Sequence, residues 1–154
     1  MHHDAVARDG AMMDLAFSMA RNGSIQGGCP IGAVITDTSS GRVLGAGHNG
    51  LVQEGNPILH GEMAALRAAG RMPSRRHCTM YTTLSPCMMC AGTIVQFKIG
   101  RVVVGDVTNS AGNVAFLRER GVQVDLMEHP GCIALVRQFR EEKPELWSED
   151  WGGA

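Results

Sequence analysis

The chain has 154 residues, 44% of them hydrophobic, which is the size of one ordinary domain with a single core. Fourteen Lys and Arg residues stand against fifteen Asp and Glu residues, so the net charge is −1 and no basic field is available to neutralise a nucleic-acid backbone. The first ten residues lack the apolar run of a secretory signal or membrane span, and five Cys and ten Met residues suit a reducing compartment without disulfides. We therefore expect a cytoplasmic protein that binds a small molecule rather than nucleic acid or a membrane.

Hydrophobic periodicity, turn residues and helix stops predict alternating helices and strands. In chain order these are a helix over 9–21 that ends at Asn22-Gly23, strands over 30–36 and 42–47 joined by a turn at 37–41, a helix over 57–70, a strand over 79–84, a helix that starts at the cysteines and has its body over 88–99, a strand over 101–105, a helix over 114–120, a strand over 122–127 and a helix over 131–142.

The second half of this series needs crossover connections, and hence parallel pairing. The predicted fold class is α/β: a three-layer α/β/α sandwich with a central mixed five-stranded sheet, built by one domain over 1–154. Ser85 is the expected cap of the third helix, with Pro86 in its first position. Pro144 ends the last regular helix and leaves 144–154 as a C-terminal tail.

Two short motifs predict a metal site: His60-Gly61-Glu62 and Pro86-Cys87-Met88-Met89-Cys90. Cys87 and Cys90 are three residues apart at a predicted helix start, so both sulfurs can bind one ion on one face, where the helix dipole favours thiolates. His60 adds a third ligand, and no further Cys or His has ligand spacing. Three protein ligands leave a fourth tetrahedral position for water, the pattern of a catalytic rather than a structural Zn²⁺ site.

Glu62 is the carboxylate that this ligand set does not need. Residues two apart in a regular helix face different ways, so His60 and Glu62 converge only if His60 lies at the helix start. Zinc lowers the pKa of its water to about 7, and Glu62 can then move the released proton to a ring nitrogen and to a departing amine. The predicted reaction is hydrolytic deamination, and the order H-x-E followed by P-C-x-x-C is the known general signature of zinc nucleobase deaminases.

Each motif alone has a simpler interpretation. A CxxC pair can be a redox pair or part of a structural zinc site, and a His-x-Glu triplet is weaker still. The two in this order, each opening a predicted helix, favour the catalytic site. The other cysteines, Cys29, Cys78 and Cys132, are expected to be small core residues.

The chain also resembles the fungal-type cytosine deaminases within the cytidine deaminase superfamily, from about the first helix to the tail. Besides the zinc motifs, the runs that carry this resemblance are Pro30-Ile31-Gly32, Gly47-His48-Asn49, Tyr81-Thr82-Thr83-Leu84-Ser85-Pro86-Cys87, Arg101-Val102-Val103-Val104-Gly105 and Trp147-Ser148-Glu149-Asp150. The resemblance implies a zinc-dependent cytosine deaminase of pyrimidine salvage, one Zn²⁺ per chain, a free pyrimidine base as substrate and a homodimer.

The resemblance also implies substrate contacts. The polar edge of the base would meet Asn49, the Gly61 amide and Asp150, and the Ser85 carbonyl would receive the amine. The ring would pack on the apolar residues Ile31, Leu84 and Trp147. Without the resemblance, Asn49 is a turn residue before Gly50, and Trp147 is a tail anchor.

One segment departs from the family pattern. Between Gly105 and Gly121 the chain is one residue shorter, and the aromatic residue expected over the substrate has no counterpart in Thr108–Gly112. Phe116 fits a core position better. Deamination of another amino-heterocycle (guanine, isoguanine or creatinine) therefore stays open, as do a tRNA adenosine deaminase, which the charge disfavours, and a structural zinc-binding module, which Glu62 disfavours.

Overall fold

The computed structural model describes residues 2–153, and the side chains of 5–153. Its helices are α1 (His2–Ile25), α2 (Gly61–Ala69), α3 (Met88–Gln96), α4 (Val114–Glu119), α5 (Pro130–Glu142) and α6 (Pro144–Glu149). Its strands are β1 (Gly32–Asp37), β2 (Val43–His48), β3 (Cys78–Thr82), β4 (Arg101–Val104) and β5 (Gln123–Leu126). None of the helices described is long and apolar enough to cross a membrane.

The five strands form one mixed sheet in the order β2-β1-β3-β4-β5. Strand β1 is antiparallel to both β2 and β3, whereas β4 and β5 continue from β3 in parallel. The parallel half matches the crossover connections expected from the strand and helix order. The predicted mixed five-stranded sheet is confirmed.

Alternate residues of each central strand face opposite layers of the fold. Val34, Tyr81 and Val103 pack against α1 and α5 through Met13, Ala16 and Cys132. Their neighbours along the strands, including Ile35, Met80 and Val102, pack against α2, α3 and α4. Because both faces of the sheet are covered, these strands are buried throughout, and the predicted three-layer sandwich is confirmed.

One edge of the sheet gathers the segments that carry the motifs. The start of β1 lies beside the ends of β2 and β3, since Gly32 pairs with His48 and Ala33 pairs with Thr82. Gly32 also lies against α1, where an added Cβ would come within 2.4 Å of the Ala16 carbonyl oxygen. Helices α2 and α3 begin at this same edge, which places their first turns side by side.

The structure corrects four of the predicted boundaries. Helix α1 passes through the expected stop at Asn22-Gly23 and ends at Ile25, because the left-handed residue that follows it is Gly27 (φ 89°). Helix α2 starts at Gly61 rather than at 57, since His60 has extended backbone angles. Cys87, not Ser85, is the N-cap of α3.

The fourth correction concerns the C-terminal tail. Pro144 ends α5 as predicted, but it also occupies the first turn of a short sixth helix, where its missing N–H costs nothing. The predicted tail is therefore largely helical. Leu146 and Trp147 on α6 pack against the buried cluster that contains Ile31 and Leu84.

A part-buried ion-pair network joins α1 to the sheet. The carboxylate of Asp9 accepts hydrogen bonds from the Tyr81 hydroxyl at 2.7 Å and from the Arg101 guanidinium at 3.0 and 2.6 Å. Burial raises the pKa of Asp9, but the bonds from Arg101 and Tyr81 outweigh it and hold the pKa below its ordinary value. The charged carboxylate therefore stabilises the fold.

We expect Asp9→Asn to lower the free energy of unfolding at neutral pH by roughly 1–3 kcal/mol, because it breaks a charged, part-buried network. Since the folded pKa is depressed, the contribution is complete above the unfolded pKa of about 3.9 and is lost as the pH falls through the folded value. Urea unfolding at neutral and acidic pH measures both effects. Asp14→Asn, at an exposed carboxylate bonded to His129, is the matched control and should change stability far less. Equal stability of wild type and Asp9→Asn at neutral pH would contradict this role.

Candidate functional site

The three predicted metal ligands come together where α2 and α3 begin. His60 and Cys87 are the N-cap residues of these helices, with extended backbone angles (φ −69°, ψ 165° and φ −68°, ψ 174°), and Cys90 lies in the first turn of α3. The His60 Nδ1 atom lies 3.4 Å from Cys87 Sγ and 3.6 Å from Cys90 Sγ. All three ligand atoms lie within 4.8 Å of one another.

These distances fit a tetrahedral zinc ion. Bonds of about 2.3 Å to sulfur and about 2.0–2.1 Å to nitrogen, at tetrahedral angles, place a nitrogen and a sulfur ligand about 3.6 Å apart. One imidazole and two thiolates are also the donor types that Zn²⁺ prefers. The side chains present therefore fit one such ion without any rearrangement of the backbone.

The local electrostatics favour a thiolate at the start of α3. The pKa of Cys87 is lowered to about 4, chiefly by a hydrogen bond from the Cys90 thiol. Burial opposes this decrease, whereas hydrogen bonds from His60 and from the Cys90 amide add to it. The pKa of Cys90 is raised, because this thiol donates to Cys87 and is buried beside Glu62. A divalent cation would displace the Cys90 proton, so loading of the site releases protons.

Glu62 lies in the first turn of α2, two residues after His60, and its side chain is almost fully buried (4% exposed). Burial raises the pKa of its carboxyl group to about 7, and the Cys87 thiolate adds to the increase. Glu62 is not one of the three grouped ligands, although it lines the same cavity as His60 and Cys87. The carboxyl group is thus free to exchange a proton beside the metal position.

His60 also connects the metal position to the C-terminal tail. Its Nδ1 atom faces the two cysteines, while its Nε2 atom lies 3.4 Å from Asp150 Oδ1. Asp150 is buried, which raises its pKa, with His60 opposing. A carboxylate behind the ligating histidine is the usual device that fixes the imidazole tautomer and orientation.

A small cavity opens beside the three ligands. Eight residues line it: Ile31, His60, Glu62, Leu84, Ser85, Cys87, Asp150 and Trp151. Its walls combine apolar side chains with a few fixed polar groups, which is the composition of a site for a small planar ligand.

Four of the predicted substrate contacts lie in this lining and three lie next to it. Ile31, Leu84, Ser85 and Asp150 face the cavity. Asn49 lies behind Asp150 and donates its Nδ2–H to Asp150 Oδ1 at 3.0 Å. Gly61 is the first residue of α2, where its N–H has no partner within the helix.

Trp147 does not line the cavity. It packs against the cluster of Ile31 and Leu84, with the Arg140 guanidinium 5.4 Å from its ring centre. The lining residue that sequence reasoning missed is Trp151, whose ring lies 5.4 Å from that of Trp147. Trp151 follows Trp147 by four residues, about one helical turn, and this spacing could have predicted that both rings lie on the same side of the tail.

The shortened segment over 106–113 forms a closed loop beside the site. The buried Asp106 carboxylate accepts from the amide of Thr108 and the side chain of Asn109, both at 2.7 Å. None of the described residues of this loop lines the cavity. Phe116 packs against the core cluster around α4, away from the metal position.

Comparisons with known proteins agree with this geometry. The sequence profile of the cytidine and deoxycytidylate deaminase zinc-binding region matches residues 6–106. The cytosine deaminase of Candida albicans is 45% identical over 142 residues, which cover 91% of this chain and 94% of that protein. A tRNA-specific adenosine deaminase of Buchnera aphidicola is 37% identical over 101 residues, or 64% of this chain and 66% of that protein.

A solved structure shares the fold. The guanine deaminase from Nitrosomonas europaea superposes with a TM-score of 0.71 at 22% sequence identity, covering 85% of this chain and 84% of that one. At this level of identity the likeness concerns the fold alone. The sequence matches confirm the resemblance to cytosine deaminases that the zinc motifs, the further runs and the tail carry.

We expect the purified protein to contain one zinc ion per chain, and Cys90→Ala to lose most of it, because two remaining ligands hold the ion poorly. Metal content by mass spectrometry, with the protein concentration measured in parallel, is the readout. Cys132→Ala is the matched control, since that buried thiol lies in the layer between the sheet and α5. Full zinc content in Cys90→Ala would contradict the proposed ligand set.

Proposed function

The chain belongs to the cytidine and deoxycytidylate deaminase family, and from this premise we propose that it hydrolyses cytosine to uracil and ammonia. The observation that carries the proposal is the buried, unligated carboxyl group of Glu62 in a cavity that also contains two of the three metal ligands. The choice of cytosine is supported by the identity with a cytosine deaminase over nearly the whole length of both chains.

The proposed reaction needs a proton shuttle, and Glu62 has the position for it. A zinc ion held by His60, Cys87 and Cys90 would supply an activated water as nucleophile. Glu62 would accept one proton of the attacking water and deliver it to the ring nitrogen next to the amine-bearing carbon. A second proton passes to the departing amine, so water and cytosine are converted to uracil and ammonia with no other reactant.

The remaining lining residues are assigned to binding. We assign the ring faces to Ile31 and Leu84, which are held in place by the cluster behind them. We assign the Ser85 carbonyl to the departing amine and the Gly61 amide to the polar edge of the base. A site with these few fixed groups rejects ligands that leave them unpaired.

Asn49 and Asp150 complete the polar edge. Asn49 uses its Oδ1 to accept from the Leu51 amide and one Nδ2–H to reach Asp150, which leaves its second Nδ2–H for a carbonyl oxygen of the base. Asp150 engages Asn49 and His60 through Oδ1, so its Oδ2 is the atom we assign to an N–H of the base. Trp147 supports this arrangement from behind, through the cluster that contains Ile31 and Leu84.

Charge favours a free base over a tRNA substrate. The net charge of −1 offers no basic field, and the tail that bears Asp150 exposes Glu145 and Glu149 next to the site.

Two thiolate ligands must also stay reduced, so we place the protein in the cytoplasm. We treat 1–154 as one deaminase domain in which 144–154 is the active-site tail.

The first test is ammonia release from cytosine, run beside guanine, isoguanine, creatinine and a tRNA stem-loop. We expect turnover of cytosine, and a reduction of roughly 10²- to 10⁴-fold in kcat for Glu62→Gln, because the general acid and base is removed while the metal ligands remain. Glu54→Gln, at an exposed carboxylate paired with Arg67, is the matched control and should behave like wild type.

Full activity of Glu62→Gln would refute the proposed shuttle. Turnover of guanine or of the stem-loop, with none of cytosine, would contradict the choice of cytosine as substrate. The proposed deaminase chemistry would stand in that case. A protein that binds zinc but turns over none of these substrates would support a structural zinc module instead.

We further propose a homodimer formed through α3. The helix and its cap, residues 88–97, contain no charged side chain, and Met88 on its outer face is 58% exposed. The opposite face, with Cys90, Ala91 and Ile94, is buried against the sheet. The exposed side of α3 also carries Gln96, so it is uncharged rather than wholly apolar. Depletion of charge is typical of the core of a subunit contact.

Gly92 lies on this exposed face, and an added Cβ there meets no atom within 4 Å. We expect Gly92→Glu to leave the single chain folded but to convert the dimer to a monomer, because two carboxylates would be buried at a symmetric contact. Gly10→Glu on α1, another helical glycine with open space, is the matched control. Mass by light scattering at micromolar concentration is the readout, and a wild-type monomer would contradict the proposal.

A further inference from the structure

The shortened loop does not line the cavity, but it is bonded to a residue that does. The Ser85 amide donates to the Asp106 carbonyl oxygen at 2.9 Å, and the Ser85 hydroxyl donates to the carbonyl oxygen of Ser110 at 2.5 Å. The loop also reaches the next residue, since Asn113 donates its Nδ2–H to the Pro86 carbonyl oxygen at 3.0 Å. Three bonds from one loop therefore converge on two successive residues.

These bonds leave one backbone acceptor open. The Leu84 carbonyl oxygen accepts from the Thr82 hydroxyl at 2.9 Å, and the Pro86 carbonyl oxygen accepts from Asn113. The carbonyl oxygen of Ser85, between them, accepts no hydrogen bond within the part of the chain that the structure describes, although Ser85 is only 2% exposed. Buried carbonyl groups are nearly always paired, so this one is available to a ligand in the cavity.

The Ser85 carbonyl is held in place from both sides. It belongs to the peptide unit between Ser85 and Pro86. The peptide unit before it is fixed by the bond from the Ser85 amide to Asp106, and the unit after it is fixed by the bond from Asn113 to the Pro86 carbonyl. The Pro86 ring restricts φ between the two. Loss of the Asn113 bond would free one neighbour and leave a second unpaired carbonyl beside the first.

The loop is fixed to the fold through a buried carboxylate. Asp106 is fully buried, and its Oδ1 accepts from the amides of Thr108 and Asn109 at 2.7 and 3.2 Å. Its Oδ2 accepts from the Asn109 side chain, whose Nδ2 also donates to the Ile133 carbonyl oxygen on α5 at 3.0 Å. The loop therefore cannot shift without breaking these hydrogen bonds.

Close packing adds to these bonds at Gly112, which has a positive φ angle (61°). An added Cβ would lie 2.5 Å from the Cβ and Oγ atoms of Ser85 and 3.1 Å from the Pro86 carbonyl oxygen. Only glycine gives the loop both this backbone conformation and this close approach. Asn113 follows directly, so its side-chain amide is held against Pro86.

We propose that Asn113 is a positioning residue for the release of the amine, an inference that rests on the proposed function. Its hydrogen bond to Pro86 orients the neighbouring peptide unit, so that the Ser85 carbonyl oxygen stays available to the amine of cytosine. The effect is largest once Glu62 has protonated the amine, because a hydrogen bond from a charged donor is about twice as strong as a neutral one. Asn113 itself is assigned no contact with the base.

The kinetic test compares Asn113→Asp with Asn113→Ala, which both remove the donor. We expect each variant to lower kcat for cytosine by about tenfold and to change KM less, because the interaction that is weakened is stronger in the transition state than in the bound substrate. Zinc content should not change. The Asn113 side chain caps no amide of α4, so neither variant removes a helix cap.

Asn56→Asp is the matched control for the added charge. Asn56 is partly exposed and uses its Oδ1, not its Nδ2, to accept from the Ile58 amide at 3.1 Å. An aspartate can make the same bond, so this variant should behave like wild type.

A binding measurement separates positioning from a general disturbance of the cavity. Pyrimidin-2-one is the ring of cytosine without its amine. We expect its inhibition constant to stay unchanged in both Asn113 variants, because the contact that they weaken is with the amine. Equal losses in kcat/KM for cytosine and in affinity for pyrimidin-2-one would overturn the proposal, since they would show a structural role only.

The outcomes separate this inference from the function on which it rests. A wild-type protein that is inactive with cytosine would contradict the proposed function, and this inference with it. An active wild type with unchanged kcat in Asn113→Ala would contradict the role of Asn113 alone. A defect in Asn113→Asp that Asn113→Ala does not share would also overturn it, since charge rather than the lost bond would be the cause. Loss of zinc from both variants would overturn it too, because the loop would then serve Cys87 rather than the carbonyl.

Discussion

The approach of His60 Nδ1 to two thiol sulfurs, at 3.4 and 3.6 Å, is the contact on which the rest of the site depends. It exists because two helices begin at the same sheet edge with their N-cap residues still extended. Gly61 eases this approach, since an added Cβ would come within 3.1 Å of the Ile31 carbonyl oxygen and within 3.2 Å of the Gly32 backbone. A side chain there would require the start of α2 or of β1 to move by a few tenths of an ångström.

The same contact explains why the C-terminal tail belongs to the site. An imidazole that gives Nδ1 to the metal position has Nε2 on its other side, and Asp150 lies there at 3.4 Å. The tail is therefore connected to the metal position through one ring, and its docking buries the histidine, the carboxylate and Asn49 together. Burial in this pocket disfavours the charged form of Glu62 and raises the pKa of its carboxyl group to about 7.

The parts of this fold that could be predicted from the sequence are those set by local pattern. Runs such as Ala33–Ile35 and Val102–Val104 are apolar on both faces, and hence read as buried strands between helical layers. The ligands could be predicted because Cys and His at fixed spacing have few other uses. The start of α2 could not be predicted from the sequence, because the residues before His60 have no strong local stop. The extended backbone there is set by packing. The helix at 144–149 was not predicted because Pro144 is a strong local stop. A proline that ends one helix can also begin the next.

Trp151 shows a further limit of sequence reasoning. Two tryptophans four residues apart are equivalent by pattern, yet one is clamped by Arg140 and the other faces the cavity, a difference that only the packing of α6 on α5 decides. The tail also exposes Glu145 and Glu149 beside the opening, where a polymer would have to bring its phosphates. The acidic side chains of this segment thus oppose the approach of a nucleic acid.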